Sequence, residues 1–174
     1  MNIRKLIIIG CTALSAIVNV FDVKAADPVT ISVTGRIIAS PCEIKSDSVN
    51  INVDLGMNIE ASSLQAPGSA TGWVPVDVNL INCPSATTKA TILFQGTADS
   101  LNPNDMYRNT GTATNLAVQL QGVGGEPFGN GKSYTGIIVG NAYSYHLRAR
   151  AWTQNGNVMP GTISAVVTAT FTYQ

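Results

Sequence analysis

Residues 163–174 read Ile-Ser-Ala-Val-Val-Thr-Ala-Thr-Phe-Thr-Tyr-Gln and carry the longest alternation of apolar and polar side chains in the chain. This period of two is the spacing at which a β-strand turns successive side chains to opposite faces. Shorter runs of the same period begin near residues 29, 51, 74, 116 and 143, and turn-forming clusters of Gly, Pro and Asn separate them. The pattern predicts an all-β fold, a sandwich of short strands that each turn one face to the core.

The composition agrees with that fold class and excludes several kinds of function. Of the 174 residues, 45% are hydrophobic and 11% are charged, which excludes a charge-rich disordered chain. Ten Lys and Arg balance ten Asp and Glu, so the sequence shows no basic footprint for nucleic acid. One His and three Cys supply few of the usual metal ligands. We therefore expect no nucleic-acid partner, no metal and no cofactor.

The first 25 residues have the layout of a secretory signal peptide. Arg4 and Lys5 precede a mostly apolar run over residues 6–20, and compact residues lead to Ala25. The sequence predicts cleavage between Ala25 and Ala26, and therefore an exported protein. A membrane anchor is the alternative, although the apolar run falls short of the roughly 20 residues that a spanning helix needs.

The three cysteines divide between the predicted signal peptide and the mature chain. Cys11 could belong to a lipoprotein signal, but only five residues separate it from Lys5, too few for an apolar core. Cys42 and Cys83 form an even pair in an exported protein. Because an oxidising compartment favours disulfides, we predict a Cys42–Cys83 bond. Two free buried thiols are the alternative.

Three patterns imitate a ligand or catalytic site without completing one. Residues 131–133 read Gly-Lys-Ser, but Glu126 stands where a phosphate-binding loop needs its first glycine. His146 lies on the polar face of its run, next to no obvious nucleophile, so we expect no catalytic residue and no small-molecule substrate. Trp73 and Trp152 could stack on a sugar, although packing is the commoner role. A free-standing carbohydrate-binding module therefore stays open as an alternative, and an enzyme using His146 as a weaker one.

The run that begins at residue 29 lies close to the predicted mature N-terminus. Its alternate positions are Val29, Ile31, Val33, Gly35 and Ile37. An extended segment of this kind can add itself as a strand to another sheet, because backbone hydrogen bonds give affinity and alternate side chains give specificity. Gly35 interrupts this face and predicts a close approach of two backbones. An ordinary first strand of the chain's own sandwich is the alternative.

Four motifs in order, together with the signal peptide and two cysteines, resemble the subunits of chaperone–usher fimbriae, in the type 1 pilin family. The motifs are Gly-Arg-Ile-Ile-Ala-Ser-Pro-Cys (35–42), Val-Asp-Leu-Gly (53–56), Leu-Ile-Asn-Cys-Pro (80–84) and the C-terminal run from residue 161. Gly161 and the penultimate Tyr173 are the specific marks. Residues 107–113 and the short chain look most like a minor, tip-adaptor pilin.

The resemblance implies an incomplete immunoglobulin-like sandwich that lacks its final strand and is completed by a donor strand from a partner. The chain would then consist of a signal peptide (1–25), a donor-strand extension (26–37) and a pilin domain (38–174). The extension would insert Val29, Ile31, Val33, Gly35 and Ile37. The C-terminal strand would flank the groove and pair with a chaperone through Gly161, Ile163, Ala165, Val167, Ala169, Phe171 and Tyr173.

The resemblance also implies a function, a structural subunit of an adhesive fimbria that is assembled by donor-strand exchange. The implied partners are a periplasmic pilus chaperone, an outer-membrane usher and neighbouring pilin subunits, and the implied destination is the cell surface. The Cys42–Cys83 bond would staple the first strand to its sheet. Folding energy released during strand exchange would drive assembly, so no nucleotide is implied. Tip adaptor, shaft and terminator positions all stay open.

Overall fold

The computed structural model describes residues 29–174, and two antiparallel sheets make up nearly all of their regular structure. The strands are β1 (Glu43–Ile44), β2 (Val74–Ile81), β3 (Lys89–Gly96), β4 (Met106–Arg108), β5 (Ala117–Gly122), β6 (Ser133–Ile137), β7 (Tyr143–Trp152) and β8 (Val167–Tyr173). Two short 3₁₀ helices, Ser46–Ser48 and Ala61–Leu64, are the only helices in this part of the chain. The predicted all-β class is confirmed. The predicted cleavage site at Ala25 and Ala26 lies outside the described residues.

The two sheets enclose one apolar core. Five strands pair in the order β1-β2-β7-β5-β4, and three pair in the order β6-β3-β8. Alternate side chains of the central strands point into the core, as the period of two requires. These buried residues include Val76, Val78, Leu80, Ile92, Phe94, Leu120, Tyr145 and Leu147.

Most of the predicted runs form strands where the alternation indicated, but residues 29–37 form none, and two further corrections are needed. Residues 51–55 alternate as predicted, yet they form no strand, because no neighbouring strand pairs with them. The C-terminal run becomes a strand only from Val167. Before it, the backbone bonds to a loop instead, with the Thr110 N–H donating to Ser164 O at 2.8 Å. A side-chain amide, Asn109 Oδ1, accepts the Ser164 N–H in turn, at 2.8 Å.

The predicted disulfide between Cys42 and Cys83 is present. It joins the segment before β1 to the residues just after β2, and both cysteines are buried, at 7% and 2% exposure. The bond closes a loop across a sequence separation of 41 residues. Restricting such a loop in the unfolded chain stabilises the fold by about 4 kcal/mol in the chain-entropy account.

Candidate functional site

Within residues 29–174, strand β8 is the edge of its sheet and pairs on one side only, with β3. Just beyond it, Gln174 and Lys89 exchange two backbone hydrogen bonds, at 2.9 and 3.0 Å. In an antiparallel pair, residues alternate between those that bond to the partner strand and those whose backbone groups face away. The backbone groups that face away from β3 therefore belong to Val167, Ala169, Phe171 and Tyr173. Strand β8 thus presents a row of unpaired donors and acceptors along its outer edge.

The side chains of these residues are only partly covered. Phe171 and Tyr173 are half-buried against the core, and the Phe171 ring lies 6.0 Å from that of Tyr145. Burial raises the pKa of the Tyr173 phenol. Val166, on the opposite face, is 76% exposed. The predicted face is half-buried at Ile163, Ala165, Val167, Phe171 and Tyr173, and Ala169 is exposed.

A second flank is formed by residues 49–59, which have a strand-like pattern and no partner. In the part of the chain that the structure describes, no backbone group of residues 50–59 bonds to another backbone group, and the Gly56 N–H donates instead to Asp54 Oδ1 at 2.8 Å. Val53 and Leu55 are half-buried against the core. We call the space bounded by β8 and residues 49–59 the groove, because both boundaries combine unpaired backbone with half-covered apolar side chains.

An apolar cavity of about 260 Å³ lies where the two flanks meet. Its wall includes Ile59 from one flank, Gly161 and Ile163 from the segment just before β8, and Leu64, Leu116 and Val158. Gly161 needs to be glycine here, because a Cβ at this position would collide with the backbone of Thr112 and Ala113. Sequence reasoning singled out Gly161 and Ile163 but missed the other wall residues. They come from distant parts of the chain and carry no shared motif.

The N-terminal segment is described by itself, because the chain divides into one unit that ends at Gly35 and another, Arg36–Gln174. Residues 29–42 form no strand. Val29, Ile31 and Val33 are 85%, 82% and 89% exposed. Ile37, the first apolar side chain of this face in the second unit, is fully exposed. In each unit, the aliphatic side chains predicted to insert are therefore uncovered.

The polar motifs are used in surface contacts. His146 Nδ1 lies 2.7 Å from Asp77 Oδ1, across the β2–β7 pair, and both side chains are mostly exposed. The guanidinium carbons of Arg148 and Arg150 lie 4.3 and 4.1 Å from the centre of the Trp73 ring. These cation–π contacts occupy ring surface that a stacked sugar would need.

Two further features of residues 29–174 limit the chemistry of the site. No group of three or more His, Cys, Asp or Glu side chains in this range is arranged to hold a metal ion. The same residues include no helix long and apolar enough to cross a membrane. What the groove can do is accept an extended chain, because it offers backbone hydrogen bonds on both sides and an apolar floor.

Comparison with known proteins gives a consistent result over most of the chain. A model of the family described as fimbrial protein matches residues 31–174. Protein FimG of Escherichia coli strain K12 is 39% identical over 153 residues, which are 87% of each chain. The S-fimbrial adhesin protein SfaS of Escherichia coli O6:K15:H31 is 36% identical over 95% of this chain and 93% of its own.

Solved structures show the same fold. The crystal structure of the P pilus rod subunit PapA superposes with a TM-score of 0.66 at 24% identity. The match covers 78% of this chain and the whole of that one.

Proposed function

We propose that this chain, which belongs to the fimbrial protein family and is a structural subunit of a chaperone–usher pilus, receives in its groove the strand that its fold lacks. Family membership confirms the predicted resemblance and the incomplete immunoglobulin-like sandwich. It also confirms the predicted destination, a fimbria on the cell surface. The family consists of structural subunits, and we assign this chain no catalytic role.

The observation that carries the proposal is the pair of unpaired backbone rows on either side of the groove. Unpaired edges of this length are a liability in an exported protein, since they can pair with any passing strand. A periplasmic chaperone that lends a strand would cover the groove first, and the extension of a neighbouring subunit would replace it at the usher.

The extension of this chain has the length and pattern of such a strand. Positions 29 and 37 are eight residues apart, about 27 Å in a strand, and so are positions 165 and 173 on the face of β8. An antiparallel donor would continue the antiparallel pairing of the sheet. In that direction the residue equivalent to Ile37 would reach the cavity beside Ile163, and the residue equivalent to Val29 would lie near Tyr173.

The energy of such a joint is large enough for a fibre. Four aliphatic side chains, at about 1.5–3 kcal/mol each, contribute roughly 6–12 kcal/mol before ordering costs are subtracted. Backbone hydrogen bonds to β8 and to residues 49–59 add to this. A joint of this kind would dissociate slowly.

Finer assignments follow from the same proposal. Residues 1–25 would be removed between Ala25 and Ala26, residues 26–37 would serve as the donor strand, and residues 38–174 would form the pilin domain. The similarity to FimG and the pattern of residues 107–113 favour a minor, tip-adaptor position in the fibre.

Two neighbouring positions of the extension provide a matched test. Ile31→Asn places an amide on the inserting face, and Thr30→Asn places the same group on the opposite face. Burying an unpaired amide is costly, so we expect Ile31→Asn to lower incorporation into surface fibres by about tenfold or more, and Thr30→Asn to leave it unchanged. Incorporation is measured as the fraction of the chain in sheared fibres.

Folding of the domain is followed separately, by the amount of disulfide-bonded chain in the periplasm. This amount should be the same for both variants, because the substitutions lie outside the unit Arg36–Gln174. Equal incorporation of Ile31→Asn and Thr30→Asn, at equal periplasmic amounts, would refute the assignment of this face.

A further inference from the structure

A second cavity, of about 110 Å³, has an aromatic lining and does not share residues with the groove. Phe128, Tyr134, Tyr143 and Tyr145 line it, and Glu126 and His146 lie at its polar side. It sits where the turn after β5 approaches strands β6 and β7. Nothing in the strand-exchange scheme uses these residues.

The aromatic rings meet at steep angles and so form walls rather than a stack. Tyr143 and Tyr145 lie 4.7 Å apart at 78°, and Tyr134 and Tyr145 lie 6.3 Å apart at 80°. Phe128 meets Tyr134 at 5.9 Å and 68°. The buried Tyr145 hydroxyl donates to Ala90 O at 2.7 Å, which fixes the ring at the back of the cavity.

Glu126 brings a negative charge to this aromatic lining. Its side chain folds back over the turn, where a Cβ on Gly122 or Gly124 would collide with the carboxylate. Glu126 is exposed, and the two ion pairs of the described residues, Lys45–Asp47 and His146–Asp77, do not include its carboxylate. Burial is the main cause of a raised pKa at the Tyr143 phenol, Tyr134 raises this pKa further, and the charge of Glu126 makes the smallest contribution. The cavity therefore combines π-electron faces with a solvent-exposed carboxylate that forms no ion pair with the described residues.

We propose that this cavity binds an organic ammonium group, either a lysine side chain or a choline headgroup. Aromatic faces attract cations through their quadrupole, and a nearby carboxylate strengthens the attraction. The volume suits a head of a few heavy atoms. His146, the other titratable group in the lining, faces Asp77, whose carboxylate lies against its Nδ1.

The test is calorimetric titration of the purified mature chain, residues 26–174, with charged and neutral probes. Nα-acetyl-lysine methylamide is compared with acetyl-norleucine methylamide, and choline with its neutral carbon isostere, dimethylbutanol. We expect at least one charged probe to bind about tenfold more tightly than its neutral counterpart. Binding of the lysine probe alone identifies a protein partner as the source, and binding of choline alone identifies a choline-bearing surface.

Variants separate this site from general charge effects. Glu126→Gln should weaken binding of the charged probe by about tenfold, and Glu60→Gln, which removes a carboxylate elsewhere on the surface, should not. Tyr134→Leu keeps an apolar wall but removes a π face, and should also weaken binding. Fibre assembly should be normal in all three. Failure of every charged probe to bind, or equal binding by charged and neutral probes, would overturn the proposal.

Discussion

At the residue scale, two buried tyrosine hydroxyls connect parts of the sandwich that are distant in sequence. Tyr107, in β4, donates to Phe128 O at 2.9 Å, and Tyr145, in β7, donates to Ala90 O in β3 at 2.7 Å. Both side chains are almost fully buried, at 1% and 2% exposure. Each hydroxyl satisfies a carbonyl that water cannot reach. Burial raises the pKa of Tyr107 to about 12, so the hydroxyl stays a donor over the whole physiological range.

We expect Tyr107→Phe to destabilise the fold by about 1–2 kcal/mol, because it leaves the Phe128 carbonyl without its partner. Chemical denaturation measures the change. Tyr134→Phe is the control, since Tyr134 is 38% exposed and water can replace its hydroxyl contacts. An equal loss in both variants would mean that the Tyr107 hydrogen bond contributes nothing specific.

The Tyr107 hydroxyl also makes the stability of the fold depend on pH in the alkaline range. The native pKa of about 12 lies above the ordinary value of 10.0, so the folded chain holds this proton more tightly than the unfolded chain. The contribution of this hydroxyl to the free energy of unfolding is complete below pH 10 and is lost as pH rises through 12. Denaturation curves between these values should fall more steeply for the parent than for Tyr107→Phe, and parallel curves would contradict this assignment.

At the scale of elements, β8 and residues 51–55 show what alternation can predict and what it cannot. Both have apolar side chains at every second position, and both turn most of them to the core, although Ile51 and Ala169 are exposed. Only β8 is a strand, because β3 lies beside it, whereas residues 51–55 have no neighbour. The pattern predicts which face of a segment is covered but contains no information about its partner. The sequence could not identify the residues of the cavity wall for a related reason, because Leu64, Leu116 and Val158 meet only in the folded chain.

Amide hydrogen exchange along β8 tests which backbone groups are unpaired. In residues 38–174 alone, we expect fast exchange at Val167, Ala169, Phe171 and Tyr173, whose N–H groups face the groove, and slow exchange at Thr168, Thr170 and Thr172. Adding a peptide of residues 26–38 should slow the first set and leave the second unchanged. The two sets of residues alternate along one strand, so each set serves as the control for the other. Protection of both sets before the peptide is added would mean that the edge of β8 is already paired.

At the scale of the whole molecule, the domain is a sandwich with one position in its core left uncovered. Half-buried apolar residues along both flanks contribute less than they would under a complete cover. The stability of the chain is therefore shared with the protein that fills the groove, as for any fold that binds a ligand in its native state only.

Thermal unfolding of residues 38–174 measures how much stability the strand in the groove contributes. A peptide of residues 26–38 at saturating concentration should raise the midpoint by about 10 °C or more. The same peptide with Asn at the positions of Ile31 and Ile37 should raise it little. A high midpoint that the first peptide does not change would indicate a complete sandwich and would favour the free-standing binding module.

The disulfide has a further consequence when a fibre of such subunits is placed under tension. In the proposed fibre, load enters through the extension held by one neighbour and leaves through the strand that lies against β8. The shortest covalent route between these points passes from Cys42 through the disulfide to Cys83 and on to β3, and it bypasses residues 43–82. One flank of the groove, residues 49–59, therefore lies outside this covalent route and would meet the load only through its own hydrogen bonds to the donor strand. Breaking the bond would place residues 43–82 in the load path as well, a reserve of roughly 140 Å of chain per subunit.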